Sequence, residues 1–222
     1  MAIELIGIQK SYRQKRVLES VSLKVEEGSC VCILGANGCG KSTLFSILAG
    51  VQRADGGAFL YRNKDLLKDN AWRGSVLGYV PQGNPLIEEL NAWDNLRMWY
   101  DKNTIRKELS DGVLSMLGID SFLKVPVCKM SGGMKKRLSI GCTVAAHPGI
   151  LLLDEPLTAL DLICKEHIYR YVEQYKKEGG TVLLTTHDAQ DLELCDEFFI
   201  LKQGVIVPYQ YDGDIHRLAG NL

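Results

Sequence analysis

Gly35-Ala36-Asn37-Gly38-Cys39-Gly40-Lys41-Ser42-Thr43 fits the pattern G-x-x-x-x-G-K-[ST] at every fixed position. Each of those residues has a physical reason to be there. Glycine lets the backbone wrap closely around phosphate oxygens in dihedrals that other residues resist. Successive N–H groups then converge as an anion nest at the start of a helix. Lys41 supplies a compact positive charge for the β- and γ-phosphates, and the Ser42 hydroxyl is placed to ligand Mg²⁺. The flanks agree: Cys30–Leu34 reads as a buried strand, and Leu44–Ala49 as a helix. The stretch implies a site for a nucleoside triphosphate.

Working outward, the 222 residues are enough for one substantial core with room for an inserted subdomain. A 24% charged and 46% hydrophobic composition is ordinary for a globular protein. A formal net charge of -1 gives no global pull toward nucleic acid or an anionic membrane. The N-terminus lacks the basic region of a signal peptide, and no apolar run approaches the ~20 residues that cross a bilayer. Any membrane role is therefore expected through a partner. The seven cysteines are scattered without a C-x-x-C pair, which argues against a disulfide framework or a zinc site and for a reducing, cytoplasmic setting. Cys39 differs in lying inside the phosphate loop.

In chain order, strands are expected over Ala2–Gln9, with imperfect alternation, and over Val17–Glu26, with Val17, Val21, Leu23 and Val25 near a period of two. Lys10–Arg16 between them reads as a polar turn. Its Tyr12 is either an exposed loop residue or a flat surface for a nucleotide base. Gly56–Tyr61 reads as a turn and a strand, and Val76–Val80 as a strand ended by Pro81-Gln82-Gly83. Ile87–Met116 changes to helical spacing, a helical insertion whose aromatics suit a small core of its own. Ser131-Gly132-Gly133 opens a helix running from Met134 to Ala146. Four aliphatics, Ile150–Leu153, lead into Asp154-Glu155 and suit a parallel strand buried on both faces. A helix over Leu162–Lys177, a strand over Thr181–Thr186, two terminal strands near Phe198–Leu201 and Val205–Pro208, and a short amphipathic tail complete the pattern.

In an open parallel sheet, ligands sit beyond the carboxyl ends of the strands. The phosphate loop, Gln82, Asp154-Glu155 and His187 all occupy such ends. Asp154 suits the shell of a Mg²⁺ that keeps several waters, and Glu155 could polarise the water attacking the γ-phosphorus. Gln82 can offer an oxygen to metal or water, and His187 can hydrogen-bond the γ-phosphate. Ser131-Gly132-Gly133 is a second glycine-bearing helix N-terminus able to bind an anion. Since one site already has its cradle, the second suits the phosphate of a neighbouring molecule.

These motifs, in this order and across essentially the whole length, resemble the nucleotide-binding subunits of ABC transporters. The resemblance implies an α/β P-loop NTPase with a RecA-like core sheet, an N-terminal antiparallel β-subdomain and an inserted α-helical subdomain. Residues 1–83 and 149–222 would form the ATP-binding core with its β-subdomain, and 84–148 the helical subdomain, in one domain of 222 residues. It implies ATP and Mg²⁺, with Tyr12 stacking on adenine and Asn37, Gly38, Cys39, Gly40, Lys41, Ser42 and Thr43 holding the triphosphate. Ser42, Gln82 and Asp154 would serve the metal, and Glu155, Gln82 and His187 catalysis. The signature Met130-Ser131-Gly132-Gly133-Met134 would act in trans, and Asp161 would belong to the D-loop Leu157–Asp161.

It further implies head-to-tail pairing with a second copy or a related ATPase subunit, and an integral membrane permease as partner, with no nucleic acid. The location implied is cytoplasmic, peripheral on the inner face of the cell membrane. Met130 and Met134 depart from the usual Leu and Gln. With Lys135-Lys136-Arg137 they look like the branch serving multidrug, antibiotic and lipid exporters. That basic run is expected to be a solvated helix face rather than a nucleic-acid patch. With the core fold expected to run nearly to Leu222, the regulatory C-terminal domain of many importer subunits is not expected. A soluble ABC-type ATPase acting on a protein assembly, as in iron–sulfur cluster assembly, and a regulator that binds nucleotide without turnover are the other readings. Glu155 and His187 speak against the regulator.

Overall fold

The computed structural model describes residues 3–13, 15–158 and 160–222. Five strands run parallel in the order β6 (Leu77–Val80), β7 (Ile150–Asp154), β8 (Thr181–Thr185), β3 (Cys30–Leu34) and β9 (Glu197–Lys202). The antiparallel β10 (Val205–Tyr209) follows β9 and meets β2 (Lys15–Val25) through one bridge, Val205 with Ser20. From β2 the sheet continues antiparallel through β1 (Ile3–Tyr12), β4 (Gly56–Tyr61) and the two-residue β5 (Lys64–Asp65).

Alternate side chains of the parallel strands enter two different cores, as strand geometry requires. Val31, Ile33, Ile150, Leu152 and Leu183 face helix α1 (Lys41–Leu48), whose Leu44, Phe45, Ile47 and Leu48 are packed between them and the β1–β2–β4 sheet. Cys30, Leu151, Leu153, Val182 and Leu184 face the opposite side. There they meet α6 (Gly132–Val144) and α7 (Leu162–Lys177) through residues such as Leu138, Ile140, Ile168 and Val172. A strand buried on both faces has no polar alternation to show, which is why Ile150–Leu153 reads as an unbroken aliphatic run.

The imperfect alternation of the first strand has a local cause. Ile3, Leu5 and Ile8 are the buried positions, and the pairing with β2 shifts register between Leu5 and Ile8. Gly7, at φ 55°, takes the extra residue of this bulge and turns Ile6 outward. The expected polar turn over 10–16 is much shorter than read, since β1 runs to Tyr12 and β2 begins at Lys15. In β2, Leu18 rather than Val17 is the core residue. Gly56-Gly57 belongs to β4 rather than to a preceding turn. Ala2, the expected start of the first strand, and Ala159 of the D-loop lie outside the described residues.

Between β6 and β7 the chain forms α3 (Ala92–Arg97), α4 (Lys102–Asp111), α5 (Val113–Met116), two 3₁₀ turns and α6. Helical spacing was expected from Ile87, but the first helix starts at Ala92. Asn91 caps it by accepting from Asp94 N, and buried Asn95 clips the stretch before it through Ile87 N and Ile87 O. The insertion has no small core of its own among the described residues: Trp93 and Tyr100 pack against the cluster that Leu151, Leu153 and Val182 of the sheet share with Leu96, Ile105 and Leu114, and Trp99 is 68% exposed. Helix α2 (Asn70–Val76) was not legible: it is short, contains Gly74, and absorbs Val76 from the strand expected there. Its start is set by Asp69, which accepts from Trp72 N. Helix α8 (Ile215–Asn221) places Leu218 against Leu34 and Leu192.

Candidate nucleotide site

Because β3, β6, β7 and β8 are parallel, their carboxyl ends share one edge of the sheet, and the polar residues that follow them converge there. A cleft of about 470 Å³ is lined by Val17, Asn37, Gly38, Gly40, Lys41, Ser42, Thr43, Gln82, Glu155 and His187. Of the residues singled out from sequence, this brings together the phosphate loop, Gln82, Glu155 and His187.

The loop itself depends on glycine where the backbone is crowded or left-handed. Gly35 has φ 153°, and a Cβ there would stand 2.6 Å from Leu201 O. Gly40 has φ 115° and is the N-cap of α1, with no side chain capping the helix. Lys41 is 6% exposed, and its Nζ donates to Gly35 O at 2.6 Å and Ala36 O at 3.3 Å, which aligns it along the loop. Cys39 is half-buried, its Sγ packed beneath Gly35.

Opposite the loop, Thr185 at the end of β8 holds the Asp154 carboxylate of β7 and the main chain of Glu155 just after it. Its Oγ1 donates to Asp154 Oδ1 at 2.7 Å and accepts from Glu155 N at 3.0 Å, while its carbonyl accepts from the same N–H at 3.1 Å. These bonds hold Glu155 at φ 49°, a left-handed conformation that costs a non-glycine residue about 1 kcal/mol. The resulting turn points the carboxylate into the cleft. Glu155 Oε2 accepts from Gln82 Nε2 at 2.8 Å, and Oε1 lies 3.1 Å from His187 Nε2. Asp154 stays buried behind at 2% exposure.

The His187 loop is tied down from below. Asp191, 1% exposed, accepts from Thr186 Oγ1 at 2.5 Å and from Tyr169 OH at 2.9 Å. Lys165 of α7 pairs with Asp188 and lies 3.7 Å from Asp191. Burial raises the Asp191 carboxyl above its ordinary range, while the Lys165 ammonium holds Asp188 below it.

Other candidates lie elsewhere. Ser131 caps α6, its Oγ accepting from Met134 N at 3.2 Å, and together with Gly132 it faces solvent outside the cleft. Gly133 is buried: a Cβ would stand 2.4 Å from Cys164 Sγ, so α6 and α7 touch there. Asp161 caps α7 through Cys164 N at 2.8 Å, and this bond lowers its pKa. Tyr12 is 42% exposed at the end of β1, its hydroxyl bonded to Gln52 Oε1, and it does not line the cleft.

The basic run is not the solvated face that was expected. Lys135 Nζ donates to Glu88 Oε1 at 2.9 Å, Arg137 Nη1 donates to Leu117 O at 3.0 Å, and Lys136 is 4% exposed. Helix α6 is packed on two sides, so consecutive residues aim at three different neighbours. Sequence reasoning also passed over Thr185 and Val17. A threonine closing an aliphatic strand and a valine at a strand end look like ordinary strand formers, and nothing in their spacing marks them out.

The parallel order and the loop after β3 make this a P-loop nucleoside triphosphatase fold. The chain belongs to the ABC transporter family, whose pattern matches residues 18–158. It is 33% identical over 211 residues to the Nod factor export ATP-binding protein I of Sinorhizobium fredii, covering 92% of this chain and 61% of that protein. It is 31% identical to the linearmycin resistance ATP-binding protein LnrL of Bacillus subtilis, covering 97% and 71%. Likeness extends to the spermidine/putrescine import ATP-binding protein PotA of Mesoplasma florum, at 30% identity over 99% of this chain and 64% of that one. Among solved structures, the ATP-binding cassette MJ0796, a dimer in a post-hydrolysis state with ADP and Pi, superposes with a TM-score of 0.82. Its sequence identity is 26%, over 94% of this chain and 99% of that one.

Proposed function

We propose that this chain binds and hydrolyses ATP to power a separate integral membrane permease, in the direction of export, through ATP-driven head-to-tail pairing with a second cassette. The observation that carries the ATPase reading is the single cleft that joins the phosphate loop to Gln82, Glu155 and His187. Glu155 is the residue to take the proton of the attacking water, since two side-chain contacts and a bifurcated main-chain bond fix its direction. Gln82 and His187 hold that carboxylate from either side and line the same cleft as the phosphate loop, where they would meet the γ-phosphate. Ser42, Gln82 and Asp154 offer oxygen donors only, a set that suits Mg²⁺, which would supply charge neutralisation on the β- and γ-phosphates. Tyr12 would stack on the adenine, and Ser131, Gly132 and Gly133 of the second copy would close over the γ-phosphate, with Asp161 near the same interface.

Residues 84–148 would act as the helical subdomain against a core formed by 1–83 and 149–222. A groove of about 340 Å³ runs between β6 and this segment, lined by Tyr79, Pro85, Leu86, Trp99 and Tyr100. Its position next to the Gln82 segment supports it as the permease contact. No helix among the described residues is long and apolar enough to cross a membrane, so the permease would hold the chain at the cytoplasmic face. The export direction draws on the Nod factor and linearmycin relatives and on the Ser-Gly-Gly-Met form of the signature.

Glu155→Gln tests the ATPase reading. The amide keeps the shape and loses the base, so kcat should fall about 10²–10⁴-fold. ATP binding should persist, and light scattering without Mg²⁺ should show monomer becoming dimer on adding ATP. Turnover unchanged in this variant would overturn the role given to Glu155.

A further inference from the structure

Lys136 lies in the first turns of α6, five residues after Ser131 and so about 7.5 Å along the helix axis. It is 4% exposed. Its Nζ donates to Gln82 O at 2.9 Å and Pro81 O at 3.1 Å, so the ammonium clasps the main chain of the segment that follows β6. The side chain of the same Gln82 donates to Glu155 at 2.8 Å. The charge also faces the carboxylates of Asp154 and Glu155 from within the protein, and burial draws its pKa down to about 8 against their pull.

Burying an ammonium is costly unless carbonyl dipoles and opposite charges replace its water. A neutral donor could satisfy two carbonyls at lower cost, so the charge points to a task beyond packing. Its two neighbours in sequence do different work: Lys135 pairs with Glu88, and Arg137 reaches Leu117 O and stacks 5.0 Å from the Phe122 ring.

We propose that Lys136 is a positioning residue for ATP hydrolysis, fastening the Gln82 segment to the helix that carries Ser131–Gly133 so that the two shift together. Any tilt of α6 is then passed to Gln82 O, and through the Gln82 amide to the carboxylate of Glu155. Lys136 does not line the cleft and acts only through Gln82. This rests on the ATPase reading above.

The test uses the purified full chain and measures kcat, KM, binding of a fluorescent ATP analogue, and amide hydrogen exchange over 81–84 and 131–137. Lys136→Met should bind nucleotide within about twofold of the unaltered chain and lose about ten- to hundredfold in kcat, the scale of a lost charged hydrogen bond. Lys136→Arg should recover most of that loss. In a Gln82→Ala background, adding Lys136→Met should cost less than about twofold, because the residue it positions is gone. Exchange over 81–84 should quicken in Lys136→Met and not in Lys136→Arg. Unchanged kcat in Lys136→Met, an arginine variant no better than methionine, or losses that multiply in the double variant would each overturn the proposal. Should Lys136→Met fail to fold, Lys136→Gln replaces it with the same expectations. If the unaltered chain itself hydrolyses no ATP, the ATPase reading fails, and unchanged exchange over 81–84 would then independently overturn the Lys136 clasp.

Discussion

The N-termini of α1 and α6 carry the same kind of sequence, glycine followed by a helix, yet they are built for opposite situations. At α1 the cap is Gly40 in a left-handed conformation with no side chain over the first N–H groups. A buried lysine lies alongside, and Glu155, Gln82 and His187 face it across one cleft. At α6 the cap is Ser131 in extended backbone, and its own hydroxyl occupies Met134 N. Its Ser131–Gly132 end faces solvent and lies outside that cleft. The first end is open to an anion and enclosed by the protein. The second is capped by its own serine and opens to solvent at Ser131 and Gly132. Affinity for the triphosphate should therefore reside at α1, and the α6 end should matter only when a second surface is brought against it.

The largest expected effect separates the two ends directly. Lys41→Ala removes the lysine ammonium that lines the cleft and should weaken ATP binding by a hundredfold or more, given about 3 kcal/mol for a buried charge-assisted contact. Ser131→Ala should leave binding by the isolated chain within about twofold, while costing about 1 kcal/mol of stability through the lost cap. Isothermal titration and thermal unfolding read these two quantities. Equal loss of affinity in both variants would erase the distinction between the ends.

A smaller effect probes how the enclosed end is held. Thr185→Val keeps the strand and its shape but removes the hydroxyl shared by Asp154 and Glu155 N. Turnover should drop about tenfold, with stability lower by about 1–2 kcal/mol from an unsatisfied buried acceptor. A rate equal to that of the unaltered chain would mean that the Thr185 carbonyl alone suffices to hold Glu155 in its turn.

The contrast between the ends also marks what could be read without coordinates. The phosphate loop, the aliphatic run before Asp154 and the helix over Leu162–Lys177 were legible because each follows one local rule: a fixed spacing, a doubly buried strand, or a capped amphipathic period. The β-subdomain was blurred, since the bulge at Gly7 breaks the period-two pattern by one residue. Lys136 was misread because charge in a helix signals solvent by default, and only tertiary packing turns it inward. Thr185 was invisible for a related reason: its work is done by a hydroxyl whose partners lie 30 and 31 residues away in sequence.

Tyr12 gives the smallest effect and the sharpest reading of what lies outside the cleft. It sits at the end of β1, 42% exposed, with Lys10 Nζ 5.5 Å from its ring centroid and its hydroxyl on Gln52. A ring held from its hydroxyl end and flanked by a cation presents a flat, electron-rich face at little entropic cost, which suits base stacking. Stacking of one base contributes about 1–3 kcal/mol, so Tyr12→Ala should weaken ATP binding by roughly fivefold or more, and Tyr12→Phe by much less. The discriminating ligand is inorganic triphosphate, which has no base. If Tyr12 acts by stacking, triphosphate should bind the alanine variant as well as it binds the unaltered chain. If triphosphate weakens in parallel with ATP, Tyr12 instead supports the phosphate loop through the Gln52 segment. Affinity at the enclosed end would then depend on the distant edge of the β1–β2 sheet as well as on its own lysine and glycines.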